Sequence, residues 1–183
     1  HRESTMAPQR SERSIGRALF FATAQLRDAG IETARLDAEL LLGSLTGKNR
    51  TRLAIDTDQE LTEDQRVALQ KLVSRRIEGE SIAYLIGTRE FMGYDFAVGP
   101  GVLVPRPETE LMVERAVSII ARLWDGKRIH VLDLCTGSGA IALSLALLTD
   151  DALVSITGSD LSPYALAFAR KNRASLGLDD RVK

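Results

Sequence analysis

Two acids and two glycines in the second half of the chain have types and spacing suited to holding a nucleotide-like ligand. Asp133 interrupts a short apolar run, Ile129 to Leu134. A turn of small residues follows, Cys135-Thr136-Gly137-Ser138-Gly139, and then Ala, Ile and Leu in a helix-like pattern up to Ala146. Strand, glycine turn and helix together present backbone N–H groups to a ligand at the start of the helix. A second apolar run, Ala152–Gly158, ends just before Asp160. A carboxylate there can accept both hydroxyls of a ribose, one on each oxygen.

Two chemistries compete for this turn. Gly137-x-Gly139-x-x-Ala142 satisfies the dinucleotide fingerprint G-x-G-x-x-G/A, with Asp160 as the ribose acid. Registered earlier, as Asp133-x-Cys135-x-Gly137-x-Gly139, the same residues resemble the acid-x-Gly-x-Gly-x-Gly site for S-adenosylmethionine in Rossmann-like methyltransferases. An acid at the strand end repels a pyrophosphate, but suits a ligand that carries an ammonium group and no phosphate. On the residues alone both readings stay open, and a local role for either acid, as turn acceptor or solvated strand end, remains the plain alternative.

The elements that must position these residues follow from periodicity. Downstream, Ser162-Pro163 reads as an N-cap with proline at the first helical position, and Ala165, Leu166, Phe168 and Ala169 form a helical face. Upstream, Met112, Ala116, Ile119, Ile120 and Leu123 share a helical stripe that ends at Asp125-Gly126. That helix is announced by Pro105-Arg106-Pro107-Glu108-Thr109-Glu110, whose acids suit the positive end of its dipole. Two prolines hold Arg106 in a stiff extended segment, so Arg106, with Thr109, is a candidate pocket wall. Ahead of it, Arg89-Glu90-Phe91 and Tyr94–Val98 flank Met92-Gly93 as a β-hairpin, with Phe91 and Phe96 expected at an interdomain seam.

Residues 14–80 read as a helical bundle. Ile15, Ala18, Leu19, Ala22 and Leu26 fall on one face; Leu36, Leu40 and Leu41 point inward from a second helix. Thr62 and Gln65 form a capping box ahead of Leu69, Leu72, Val73 and Ile77. Ten Lys/Arg against eleven Asp/Glu in this stretch give no grip on phosphates. The expected organisation is therefore 1–13 disordered or tag-like, 14–80 a helical substrate-docking domain, 81–106 a hairpin linker, and 107–183 the start of an α/β domain. Alternating strand and helix implies a parallel sheet, and two strands are too few for an independent α/β core, so a fragment of a longer protein is expected.

Bulk properties exclude other classes. A net charge of −1 and 5% aromatic residues offer neither an electrostatic footprint nor a stacking platform for nucleic acid. The single Cys135 precludes an internal disulfide and fits a reducing, cytoplasmic compartment. No apolar run reaches the ~18–20 residues of a membrane span, and no metal site is expected.

The segment GTREFMGYDFAVGPGVLVPRPETELMVERA, Gly87–Ala116, followed by VLDLCTGSGAIALSLA, resembles the protein-(glutamine-N5) methyltransferases that modify peptide-chain release factors. LVPRPETE, Leu103–Glu110, is the most specific part. The resemblance implies an incomplete Rossmann-like S-adenosylmethionine-dependent methyltransferase domain behind a helical bundle. It implies cofactor contacts at Cys135, Thr136, Gly137, Ser138, Gly139 and Asp160, with Asp133 a weaker member, and release factors as protein partners. Cys135 stands where the family usually has its first glycine, and Ile82 where many members have proline. The family's Asn-Pro-Pro-Tyr, which holds the glutamine amide, does not occur in these 183 residues, so no catalytic residue is assigned in this chain.

Overall fold

The computed structural model describes residues 11–150 and 152–183. The chain divides into two compact units, His1–Ile86 and Gly87–Lys183.

The first unit is helical: α1 (Ile15–Asp28), α2 (Ala34–Thr46), α3 (Arg50–Ile55), α4 (Glu63–Ile77) and α5 (Ile82–Ile86). The hydroxyl of Ser14 caps α1 by accepting from Arg17 N at 3.3 Å. Thr62 and Gln65 form the reciprocal box at α4, with bonds of 3.1 and 3.0 Å, a device worth ~1 kcal/mol. The buried face of α2 differs from expectation. It consists of Ala34, Asp37, Ala38, Leu41 and Leu42, while Leu36 is exposed. Leucines ring this helix, so periodicity alone does not choose its face; packing on α1, α4 and α5 does, and an ion pair from Asp37 to Arg76 (2.8 Å) secures it. The separate helix α3 has no counterpart in the sequence reading. Residues 82–86, expected within a linker, form α5, and Ile82, Leu85 and Ile86 pack on the bundle core. Of the expected tag-like stretch 1–13, residues 1–10 lie outside the described residues; Arg13 O accepts from Leu61 N at 2.9 Å.

The second unit is mixed α/β. It opens with a hairpin, β1 (Thr88–Phe91) and β2 (Tyr94–Ala97). Phe91 pairs with Tyr94, leaving a two-residue turn of Met92 (φ 51°) and Gly93 (φ 79°). Two positive φ values mark the turn whose twist matches that of paired strands. Phe91 and Phe96 are 1% and 0% exposed in this unit's own core, edge to face with ring centroids 6.0 Å apart. The hairpin therefore packs within the second unit.

A 3-10 turn, Pro107–Thr109, leads into α6 (Glu110–Leu123); then come β3 (Ile129–Leu134), α7 (Ala140–Leu148), β4 (Val154–Ser159) and α8 (Pro163–Ser175). Strands β3 and β4 pair in parallel from Ile129↔Val154 to Leu134↔Ser159. A third stretch joins beside β4, where Val182 bridges Ile156 and Lys183 N donates to Ile156 O at 3.0 Å. On α6 the inward residues are Val113 and Ile120, flanked by Ala116 and Val117, whereas Met112, Ile119 and Leu123 are exposed. The expected stripe is thus rotated: α6 carries two overlapping apolar stripes, and contact with α7 selects one. Among the described residues no helix is long and apolar enough to cross a membrane, and no group of three His, Cys, Asp or Glu could hold a metal.

Candidate functional site

Parallel pairing of β3 with β4 brings Asp133 and Asp160 to the same end of the sheet, with the glycine turn between them. The turn is fixed by backbone groups first. Thr136 N donates to Ser159 O at 2.8 Å, and Gly139 N donates to Thr136 O at 2.8 Å. Thr136 and Ser138 are buried, while Cys135 is exposed. Their side chains serve the fold, so a ligand on this surface would meet Cys135 and main chain. Gly139 begins α7 at φ 83°, and a Cβ there would lie 2.9 Å from Leu143 Cδ1 and 3.4 Å from the Ala169 methyl. Only glycine satisfies both the backbone and the close packing against α7 and α8.

Both acids are engaged. Asp133 Oδ2 accepts from Thr136 Oγ1 at 2.7 Å and from Ala142 N at 3.2 Å. Burial raises its pKa above the ordinary carboxylate value and outweighs the two hydrogen bonds, which lower it; the nearby charge of Asp160 adds to the rise. Asp160 Oδ1 accepts from Ser162 N and Oδ2 from Gly137 N, each at 2.9 Å. Those backbone donors hold its pKa below the ordinary value. A carboxylate offers about four acceptor positions, so Asp160, half-buried, retains capacity toward a ligand. The next residue, Leu161, is 99% exposed.

The structure thus gathers Asp133, Cys135–Gly139 and Asp160 at one place. The loop after β2 joins them, since Val102 Cγ2 lies 3.9 Å from where a Gly137 Cβ would be. Arg106 is exposed and extended (φ −93°, ψ 144°), its carbonyl accepting from Thr109 N at 3.0 Å. Neither Arg106 nor Thr109 lines the cavity of about 90 Å³ behind the turn, bounded by Thr136, Gly139, Leu143, Leu166 and Ala169. That cavity is partly open to solvent and small, well below the ~300–1,000 Å³ of ligand pockets.

Three residues escaped the sequence reading. Leu161 is one. Glu110, read as a dipole acid, also accepts Met92 N at 2.8 Å and ties the hairpin turn to α6. Asn172, fully buried on α8, bonds the backbone of both Ala97 and Ser138. One signal for it was available: Asn172 falls on the same helical face as Ala165 and Ala169, a lone polar residue on an inward stripe.

These features define a class of protein, a mixed α/β unit whose parallel strand pair ends in a glycine turn flanked by two acids. Comparison with known proteins narrows it. Residues 17–87 match the PrmC N-terminal domain family. The chain is 41% identical over 180 residues to a release factor glutamine methyltransferase of Bradyrhizobium diazoefficiens, covering 96% of this chain and 60% of that protein. It is 43% identical over 170 residues to one from Rhodopirellula baltica, covering 92% and 57%, and 44% identical over 157 residues to one from Salmonella typhimurium, covering 86% and 54%. The resemblance carried by Gly87–Ala116 and the glycine turn therefore extends over most of the chain. The chain spans between 54% and 60% of the length of these relatives.

Proposed function

We propose that this chain is the S-adenosylmethionine-holding part of a methyltransferase that modifies the glutamine of a release factor's GGQ loop, with release factors as its protein partners. The observation that carries the cofactor reading is the bond from Asp133 to Ala142 N. Ala142 is the third residue of α7, and its N–H is one of the donors that a pyrophosphate would use at a helix start. A carboxylate already occupies it. Such a turn disfavours a diphosphate and suits a nucleoside with a cationic tail.

The residues present fit that ligand. Asp160 would take the ribose hydroxyls on its remaining lone pairs, and the exposed Leu161 would cover one face of an adenine. Cys135–Gly139 would pass along the aminoacyl portion, with Asp133 facing its ammonium. In this reading the unit is Rossmann-like. Bound S-adenosylmethionine would supply an electrophilic methyl on its sulfonium. The amide nitrogen that accepts it is a poor nucleophile, because its lone pair is delocalised into the carbonyl. Catalysis is then mainly positioning and electrostatic stabilisation. Arg106 and Thr109 are proposed as a wall of the acceptor side, and the helical unit as a docking surface for the release factor.

Isothermal calorimetry of the chain with S-adenosylhomocysteine and with NADH tests the reading. Binding of the first and not the second is expected. The opposite preference would overturn the methyltransferase assignment in favour of a nicotinamide-dependent one.

A further inference from the structure

Asn172 has no exposed surface, and every hydrogen bond its side chain makes is to main chain. Oδ1 accepts from Ala97 N at 2.7 Å; Nδ2 donates to Ala97 O at 3.0 Å and to Ser138 O at 2.8 Å. Only one amide orientation satisfies this set, because a flipped group would face N–H with N–H and carbonyl with carbonyl. Toward Ala97 the amide behaves like a neighbouring strand, pairing both donor and acceptor at the end of β2. Toward the turn it does something different. It draws the Ser138 carbonyl inward, while Gly139 N on the same peptide is held by Thr136 O at 2.8 Å. Both ends of the Ser138–Gly139 peptide plane are therefore fixed.

The same side chain sets the start of the segment that returns to the turn. From Ala97 the chain runs through Gly99, where a Cβ would lie 2.8 Å from Phe168 Cζ, to Val102 beside Gly137. One amide on α8 thus registers two backbones that converge on the ligand surface. Asn172 touches none of that surface itself.

We propose that Asn172 is a positioning residue for ligand binding: its buried amide locks the Ser138–Gly139 peptide and aligns the Ala97–Val102 segment against it. The inference rests on the ligand reading above for its affinity consequence and on geometry alone for its effect on the turn. In Asn172→Ala the Ser138 carbonyl loses its donor, and the peptide is free to rotate toward the ligand face. Asn172→Asp keeps the acceptor for Ala97 N but removes both donors, so it abolishes the hold on the turn while leaving one of the two bonds to the strand.

The test uses the full 183-residue chain, its Asn172→Ala and Asn172→Asp variants, and Val154→Ala as a core variant away from the turn. Folding is checked by circular dichroism and melting. At a temperature where all are folded, S-adenosylhomocysteine affinity should fall about tenfold or more in both Asn172 variants, the scale set by one buried hydrogen-bonding group left unpaired. It should be unchanged in Val154→Ala. Equal losses in all three, or an Asn172→Asp variant that binds like the parent, would overturn the proposal. Amide exchange at Gly137 and Gly139 gives a second readout that needs no ligand. It should speed up in both Asn172 variants and not in Val154→Ala, and unaltered protection would overturn the proposal. If the parent fails to bind S-adenosylhomocysteine, the cofactor reading falls and the exchange result alone decides the role of Asn172.

Discussion

The carboxylate of Asp133 accepts the backbone N–H of Ala142, nine residues further on, at 3.2 Å. It thereby caps α7, whose own N-cap is Gly139 and has no side chain to offer. The arrangement carries a cost, since burial raises the Asp133 pKa. Below the raised value the folded state holds a proton that the unfolded chain releases more readily, so this residue's contribution to stability falls as pH rises through the folded pKa. Asp133→Asn keeps an acceptor for Thr136 and Ala142 without the buried charge. Its melting temperature at pH 7 should equal or exceed that of the parent, while affinity for S-adenosylhomocysteine, whose ammonium loses its counter-charge, should fall by about tenfold or more. Differential scanning fluorimetry and calorimetry on the same samples check both halves.

Cys135 is exposed and sits at φ 61°, in the left-handed region that costs a residue with a Cβ roughly 1–2 kcal/mol. Glycine removes that strain but adds ~0.5–1 kcal/mol of unfolded-state entropy. Cys135→Gly should therefore stabilise the chain by no more than about 1.5 kcal/mol. Thermal melting under reducing conditions reads the shift, and a loss of stability would contradict the assigned backbone strain.

The strand-turn-helix was legible because each part has a local cause: an apolar run, glycines at positive φ and an Ala/Leu helix. The hairpin was legible too, since Met92-Gly93 between β-like segments reports a two-residue turn without tertiary information. What the sequence concealed depends on which neighbour an element meets. Leu36 and Leu42 both fit an amphipathic reading of α2, and packing against α1, α4 and α5 decides between them. Met112 and Val113 pose the same ambiguity on α6. Asn172 was hidden because its partners, Ala97 and Ser138, are 75 and 34 residues away and are main-chain groups without side-chain identity.

The bond between Glu110 Oε1 and Met92 N spans 18 residues. A hairpin-turn amide would otherwise look to water, so the acid anchors β1–β2 to the start of α6. Glu110→Ala should cost about 1–2 kcal/mol and Glu110→Gln less, because the amide oxygen still accepts. Hydrogen exchange at Met92 isolates this local effect better than a global unfolding curve, which a chain of two units need not follow as one transition.

In the bundle, Asp37 is 4% exposed and its charge is met by Arg76 Nε at 2.8 Å. Arg76 also donates to Glu80 O at 3.0 Å. Removing either partner strands the other; Arg76→Ala should cost about 3 kcal/mol by leaving Asp37 buried and unpaired. Replacing both with leucine should recover much of that loss, and a double-mutant cycle of Asp37→Leu and Arg76→Leu measured by urea unfolding would detect the pairwise coupling.

Asp160 titrates in the opposite sense to Asp133. Bonds from the Ser162 and Gly137 amides lower its pKa, so its hold on the turn persists as pH falls toward the ordinary carboxylate range and is lost only below it. Acidification should therefore protonate Asp133 first. S-adenosylhomocysteine, which carries an ammonium, should lose affinity at a pH where adenosine, which lacks one, still binds. Calorimetry of the two ligands from pH 7 to pH values near 4 (roughly the ordinary carboxylate pKa) should show the curves part. Parallel curves would remove Asp133 from the ligand surface. Asp160→Ala should weaken both ligands, by about ten- to a hundredfold for one charged hydrogen-bonding group. It should also loosen Gly137, because the same oxygen that is proposed to meet the ribose accepts the Gly137 N–H at 2.9 Å. Asp160→Asn keeps one acceptor, which can serve Gly137 N only at the expense of the bond from Ser162 N, and loses the charge, so weakened binding with Gly137 exchange unchanged would separate ligand contact from support of the turn.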